Sequence, residues 1–315
     1  MALDEQAKAF VDQLAAMGMP ALNEMEPAAA RAALGMLGAV SGEPESVAAQ
    51  VDRNIPGLAG EIPVRIYTPA GQGPFPAVVY YHGGGWVVGD PEMVNAACTV
   101  LANRAGAVVI SVDYRLAPEH KFPAAADDAY AALRWVAEHA SEINVDPGRI
   151  AVAGDSAGGN LSAVVAAMAR EKGGPKLALQ VLFYPVTDFN FGTRSYQENG
   201  DGYFLTTAMM QWFWNHYLNT PEEGGDWRAS PLRLADGRGL PPAFVVTAEY
   251  DPLRDEGEAY AQFLRQSGVE VSARRYQGMI HGFATMPGLM DQGRQALEDA
   301  AALLRKAFGV ERATA

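Results

Sequence analysis

Residues 149–170, RIAVAGDSAGGNLSAVVAAMAR, limit the folds open to this chain more than any other stretch. "IAVA" reads as a buried strand and "NLSAVVAAMAR" as a helix. Their junction is a serine, Ser156, set among Gly154, Gly158 and Gly159. A plain tight turn with Ser156 capping the helix would account for these residues. The Gly-x-Ser-x-Gly spacing also fits a sharper device. In it the strand turns so abruptly into the helix that the serine backbone is strained and its neighbours can carry no bulk. The hydroxyl is then left exposed at the end of a sheet. The flanking strand and helix are the context such an elbow requires. On this reading Ser156 is a nucleophile, and it needs a base, a carboxylate and an oxyanion site elsewhere in the chain.

From Val64 onward, strand-like runs alternate with helical ones. The strand candidates are VRIYT, PAVVYYHG, AVVISVDY, RIAVAG, LALQVLFYP, AFVVTAEYD and EVSARRYQG. Helical stretches such as AADDAYAALRWVAEHA and GEAYAQFLRQSG lie between the later ones. Near-continuous apolar strands alternating with helices predict an α/β fold, a mostly parallel central sheet with helices on both faces. Residues 1–50 are helix-rich, and Leu3, Ala7, Phe10, Leu14 and Met17 recur at helical spacing. Residues 188–230 hold one helical run, roughly Thr206 to Leu218, and are too long for a plain crossover. The division expected is N-terminal cap helices at 1–50, a first core part at 51–187, a cap insertion at 188–230 and a second core part at 231–315.

The chain has 315 residues, enough for a sizeable core, with 49% hydrophobic and 19% charged residues. No apolar run reaches the roughly 18 residues of a membrane span. The first residues carry acids where a secretory signal would carry bases, so a cytoplasmic location is expected. A formal charge of −13 opposes binding to nucleic acid or an anionic membrane surface. One cysteine, Cys98, excludes an internal disulfide and a multi-cysteine metal site, and its helix-like setting reads as a buried structural thiol.

Five histidines compete to be the base. His139 reads as a solvated helix residue, His120 as loop structure and His216 as part of the aromatic helix. His82 precedes three glycines. His281, in GMIHGFATMP after the last strand, can reach the C-terminal edge of the sheet, where Ser156 emerges and where ligands bind in parallel sheets. A carboxylate must orient that imidazole. Asp251 ends the strand AFVVTAEY and is preferred. Glu249 lies nearer the strand body, and Asp255 and Glu256 begin a helix, where acids suit the positive N-terminus. The order Ser156, Asp251, His281 differs from that of the trypsin-like and subtilisin-like proteases and is the order seen in α/β-hydrolases. Gly83, Gly84 and Gly85, after the strand ending at Tyr81, would let bare backbone approach a substrate oxygen.

Five segments together, HGGGW (82–86), DYRLAPEHKFPAA (113–125), GDSAGGNL (154–161), DPLRDEG (251–257) and HGF (281–283), resemble the hormone-sensitive-lipase-like esterases of the α/β-hydrolase fold. The resemblance covers most of residues 60 to 310. It implies carboxylic-ester hydrolysis with Ser156, Asp251 and His281 as a triad. It also implies an oxyanion hole at the N–H groups of Gly84, Gly85 and Ala157, a helical cap, and a structural role for His82. No cofactor or metal is called for. The partner expected is a small ester of short to medium chain length, and a homodimer is left open. Trp86 and the aromatic helix residues Met210, Phe213 and Trp214 are the expected pocket wall. An amidase or lactonase with the same site, and a non-catalytic receptor on the same fold, are the alternatives. Receptors of that kind typically lack the catalytic histidine, which is present here.

Overall fold

A computed structural model describes residues 2–38 and 41–310, with the side chains of 36–38 excepted. The chain opens with α1 (Glu5–Met17), capped by Asp4, whose side chain accepts the N–H groups of Gln6 and Ala7. α2 (Pro27–Gly38) follows. β1 (Ala49–Gly57) and β2 (Gly60–Thr68) form an antiparallel hairpin, and β3 is Phe75–Tyr81. Next come α3 (Asn95–Ala105), β4 (Val108–Val112), α4 (Ala124–Glu138) and β5 (Val145–Asp155). α5 (Ala157–Glu171), β6 (Leu177–Phe183), α6 (Arg194–Asn199) and α7 (Thr207–Tyr217) continue the chain. β7 (Ala243–Tyr250), α8 (Arg254–Gln266), β8 (Val271–Ile280) and α9 (Asp291–Phe308) complete it.

The eight strands form one sheet in the order β1-β2-β4-β3-β5-β6-β7-β8. β2 runs antiparallel to β1 and β4, and β4, β3, β5, β6, β7 and β8 are mutually parallel. Alternate side chains of the central strands serve two cores. Val79, Tyr81 and Val152 pack with α4 and α5 on one face, while Val78, Tyr80 and Ala153 pack with α3 and α9 on the other. Burial on both faces is why these strands read as unbroken apolar runs. Because the six strands are parallel, their C-terminal ends share one edge. Residues after β3, β5, β7 and β8 therefore meet there, around the crevice between β3 and β5 where the direction of winding reverses.

Two elements depart from expectation. β1 is an additional strand, an edge strand with six exposed residues in succession and a proline at 56, which lacks any apolar signature. The expected boundary at residue 50 falls inside it. α6 is a second helix in the 188–230 segment, six residues long and too short to show a period. Cys98 is buried in α3, and burial pushes its thiol pKa up. Among the described residues no helix is long and apolar enough to cross a membrane.

Candidate active site

β5 enters α5 through Ser156, which holds φ 56° and ψ −116°. Positive φ is strained for a residue with a Cβ and persists only where the surroundings enforce it. Here they do. A Cβ at Gly158 would lie 1.8 Å from the Tyr81 carbonyl oxygen, and one at Gly154 would lie 2.3 Å from that of Gly158. The elbow is also tied down. Ser156 N–H donates to Phe183 O at 2.9 Å, and the Asn160 amide donates to the carbonyls of Val186 and Ala229.

Ser156 Oγ lies 2.9 Å from His281 Nε2, and His281 Nδ1 lies 2.7 Å from Asp251 Oδ2. The Asp251 carboxylate only accepts, so Nδ1 carries the hydrogen and Nε2 is free to accept the serine proton, an assignment made from the network. Asp251 is wholly buried, and its other oxygen accepts Leu253 N–H at 2.8 Å. The rival carboxylates bond elsewhere. Glu249 accepts Gly278 N–H at a register shift between β7 and β8, a bulge that helps aim the ends of both strands. Asp255 accepts Ser195 N–H and pairs with Arg254. Glu256 accepts the N–H groups of Thr187 and Asp188, and burial raises its pKa well above the usual range.

The loop after β3 reaches over Ser156 from the other side of the crevice. Gly84 has φ 110° and Gly85 φ 58°, and a Cβ on Gly84 would meet Val88 O at 2.1 Å. Among the described residues neither Gly84 nor Gly85 donates its N–H to a carbonyl. Ala157, the first residue of α5, has no carbonyl one turn back to receive its N–H. His82 anchors the loop. It donates from Nδ1 to Gly83 O at 2.7 Å and stacks on Tyr114 at 4.3 Å, and burial lowers its pKa to about 4. Asp155 is a site residue that sequence reasoning missed. Its Oδ1 accepts Tyr80 Oη–H at 2.9 Å and Gly83 N–H at 3.0 Å, and burial pushes its pKa up to about 6.

Over this edge lies an apolar cavity of about 710 Å³, part of it continuous with solvent. Its floor includes Ser156, His281, Gly84 and Gly85. Its roof comes from Phe10, Leu22 and Leu34 of the N-terminal segment and from Phe204, Met209 and Phe213 around α7. Of the four residues expected in the wall only Phe213 reaches it. Trp86, Met210 and Trp214 are corrected to the core. Trp86 stacks on Tyr217 at 4.2 Å and meets Trp214 at 4.7 Å. The buried face of α7 thus turns onto the main domain, and Met209, four residues before Phe213, lines the cavity beside it. The remaining histidines are remote: His120 is exposed, His139 stacks on Trp135 and His216 packs on Trp212. Among the described residues no group of three or more His, Cys, Asp or Glu is placed to hold a metal ion.

Residues 78–285 match a family defined by the alpha/beta hydrolase fold. The chain belongs to that family. Among α/β-hydrolases it is 50% identical over 241 residues to the carboxylic ester hydrolase LipN of Mycobacterium tuberculosis, covering 75% of this chain and 64% of that protein, just under two thirds. It is 45% identical over 253 residues to the carboxylesterase NlhH of the same organism, covering 79% of each. A solved ester hydrolase from the Lake Arreo metagenome, EH1AB1, superposes with a TM-score of 0.95 at 41% identity, over 98% of this chain and 100% of that one. That protein was solved with a derivative of bipyridine phosphonate.

Proposed function

We propose that this carboxylic ester hydrolase is a serine carboxylesterase of the hormone-sensitive-lipase-like branch, with Ser156 as nucleophile, His281 as base and Asp251 as its orienting carboxylate. The observation that carries the proposal is the unbroken hydrogen-bonded chain from Asp251 through His281 to Ser156, beside the N–H groups of Gly84 and Gly85, which donate to no carbonyl among the described residues. His281 Nε2 takes the hydroxyl proton as Oγ attacks the ester carbonyl. The oxyanion then accepts from the N–H groups of Gly84, Gly85 and Ala157. The imidazolium, held by Asp251, gives its proton to the leaving alcohol. Water, deprotonated by the same imidazole, then releases the acid and restores Ser156.

The substrates proposed are uncharged esters of short to medium chain. The roof side chains offer no ion partner, and they bound the cavity on two sides. Each buried methylene adds about 0.8 kcal/mol, so affinity should rise roughly fourfold per carbon until the cavity is full and then stop. Two measurements test the proposal. Ser156→Ala should lose about six orders of magnitude in kcat, and a fluorophosphonate should label the wild type at Ser156 alone. A p-nitrophenyl series from acetate to palmitate should peak early. A steady rise to palmitate, with activation at a lipid interface, would mark a lipase instead.

A further inference from the structure

We infer that Arg31 is a positioning residue that couples the α1–α2 cover of the cavity to the loop bearing the Gly84 and Gly85 N–H groups, so that one side chain sets both. The inference rests on the oxyanion site proposed above.

Arg31 lies in α2 and reaches out of it to two other segments. Its Nε donates to Val87 O at 2.8 Å, and one terminal nitrogen donates to Ala117 O at 2.9 Å. The same guanidinium forks onto Glu119 at 2.8 and 2.6 Å, holding that carboxyl down at about 2. The two carbonyls belong to segments already joined, because Ala117 N–H donates to Trp86 O at 2.8 Å. Val87 is not incidental to the site. Its N–H and that of Val88 both return to Gly84 O, closing the turn that presents Gly84 and Gly85 to the cavity. A donor fixed on Val87 O therefore holds the turn from its far end.

On the helix side, Leu34 stands one turn beyond Arg31 on the same face, is buried, and lines the cavity roof. Fixing Arg31 fixes Leu34 over Ser156. The planar fork of arginine is what allows this. Lysine carries its three donors on one nitrogen and does not span the acceptors that Arg31 meets with three separate nitrogens. Of the three bonds, that to Glu119 matters least, because this carboxylate is more than half exposed and water competes with the pair. The two carbonyl bonds, part-buried and charge-assisted, carry the coupling.

The experiment compares Arg31→Ala and Glu119→Gln on p-nitrophenyl butyrate and octanoate, with the rate of fluorophosphonate labelling and the melting temperature of each. Arg31→Ala should lower kcat on butyrate and the labelling rate about tenfold, and raise the octanoate-to-butyrate ratio of kcat/KM about threefold. Glu119→Gln keeps both carbonyl bonds and should stay within about twofold on all three. If Arg31→Ala does not fold, Arg31→Lys replaces it and should give a smaller change in the same directions. A folded Arg31 variant with lowered melting temperature but wild-type kcat, labelling rate and ratio overturns the inference, since a merely structural clasp behaves that way. An equal loss in Glu119→Gln also overturns it. Wild type that is not labelled at Ser156 fails the serine-esterase reading itself, a separate outcome.

Discussion

The floor of the cavity is built from strand ends and the roof from helices, and the two tolerate change differently. In the floor the critical contacts are backbone to backbone. A methyl on Gly158 or Gly84 would meet a carbonyl oxygen at 1.8 or 2.1 Å, and no rotamer relieves that. The floor also holds the polar and titratable groups, with Ser156, His281, Asp251, Asp155 and His82 all buried. The roof meets the cavity through the tips of apolar side chains from three separate segments, Phe10, Leu34 and Phe213 among them. Such contacts can shorten, rotate or give way. On the proposed function, chemistry is thus fixed where the chain cannot move, and selectivity is set where it can.

The largest break of this contrast is Asp251→Asn. It should keep the fold and cost about 10⁴ in kcat, because the amide favours the wrong imidazole tautomer. Circular dichroism and single-turnover kinetics read the two halves. Asp255→Asn or Glu249→Gln causing that loss instead would mean that the carboxylate assignment is wrong. Gly85→Ala tests a place where floor and roof meet, since its Cβ would lie 2.2 Å from the Phe213 ring. The loss expected is about 10²–10³ in kcat, the scale of a displaced oxyanion donor. Phe213→Ala in the same chain should recover part of it, and a double-mutant cycle showing no recovery would count against the contact.

Phe213→Ala alone belongs to the roof. It should cost about tenfold in kcat/KM on butyrate and move the preferred acyl length outward by a few carbons. An unmoved optimum would show that the roof does not measure the chain. The smallest effect concerns pH and stability, and it lies in the floor. His82 has a folded pKa of about 4, below its ordinary 6.5, so its contribution is present above 6.5 and lost as pH falls through 4. Asp155 has the opposite sign. Its folded pKa of about 6 exceeds its ordinary 3.8, so its contribution is present below 3.8 and lost as pH rises through 6. Between pH 4 and 6 the two oppose each other. Asp155→Asn removes one of them, so melting temperatures should fall more steeply from pH 6 to 4 than in the wild type. A parallel or shallower fall would contradict the sign.

The same contrast explains what could be read from residues alone. Three of the floor segments follow an apolar run that stops abruptly: Tyr81 before the glycines, IAVAG before Ser156, AFVVTAEY before Asp251. Strand ends announce themselves in this way, and a parallel sheet gathers them. Asp155 did not announce its role, because the partner that defines it, Gly83, is distant in sequence. The roof was legible only as a buried stripe. Neighbouring helix positions differ by about 100° in direction, so Met209 and Met210 face different surroundings with the same side chain. Only the docking of α7 decides which one meets the cavity, and that docking depends on Trp86 in another segment. β1 stayed hidden because an exposed edge strand buries too little to leave a pattern.

His281 follows β8, the edge strand opposite β1 and the last of the sheet to leave the ribosome. A domain generally folds as a unit, and these eight strands form one sheet. A nascent chain that ends at β5 lacks the Phe183, Val186 and Ala229 carbonyls that tie down the elbow around Ser156, and the proposed base arrives only when β8 docks against β7. A chain that stops short of β8 therefore lacks the group proposed to activate Ser156. Turnover by a ribosome-bound or C-terminally shortened chain would report the arrival of that final strand, which makes the enzyme's own activity a gauge of its completed assembly.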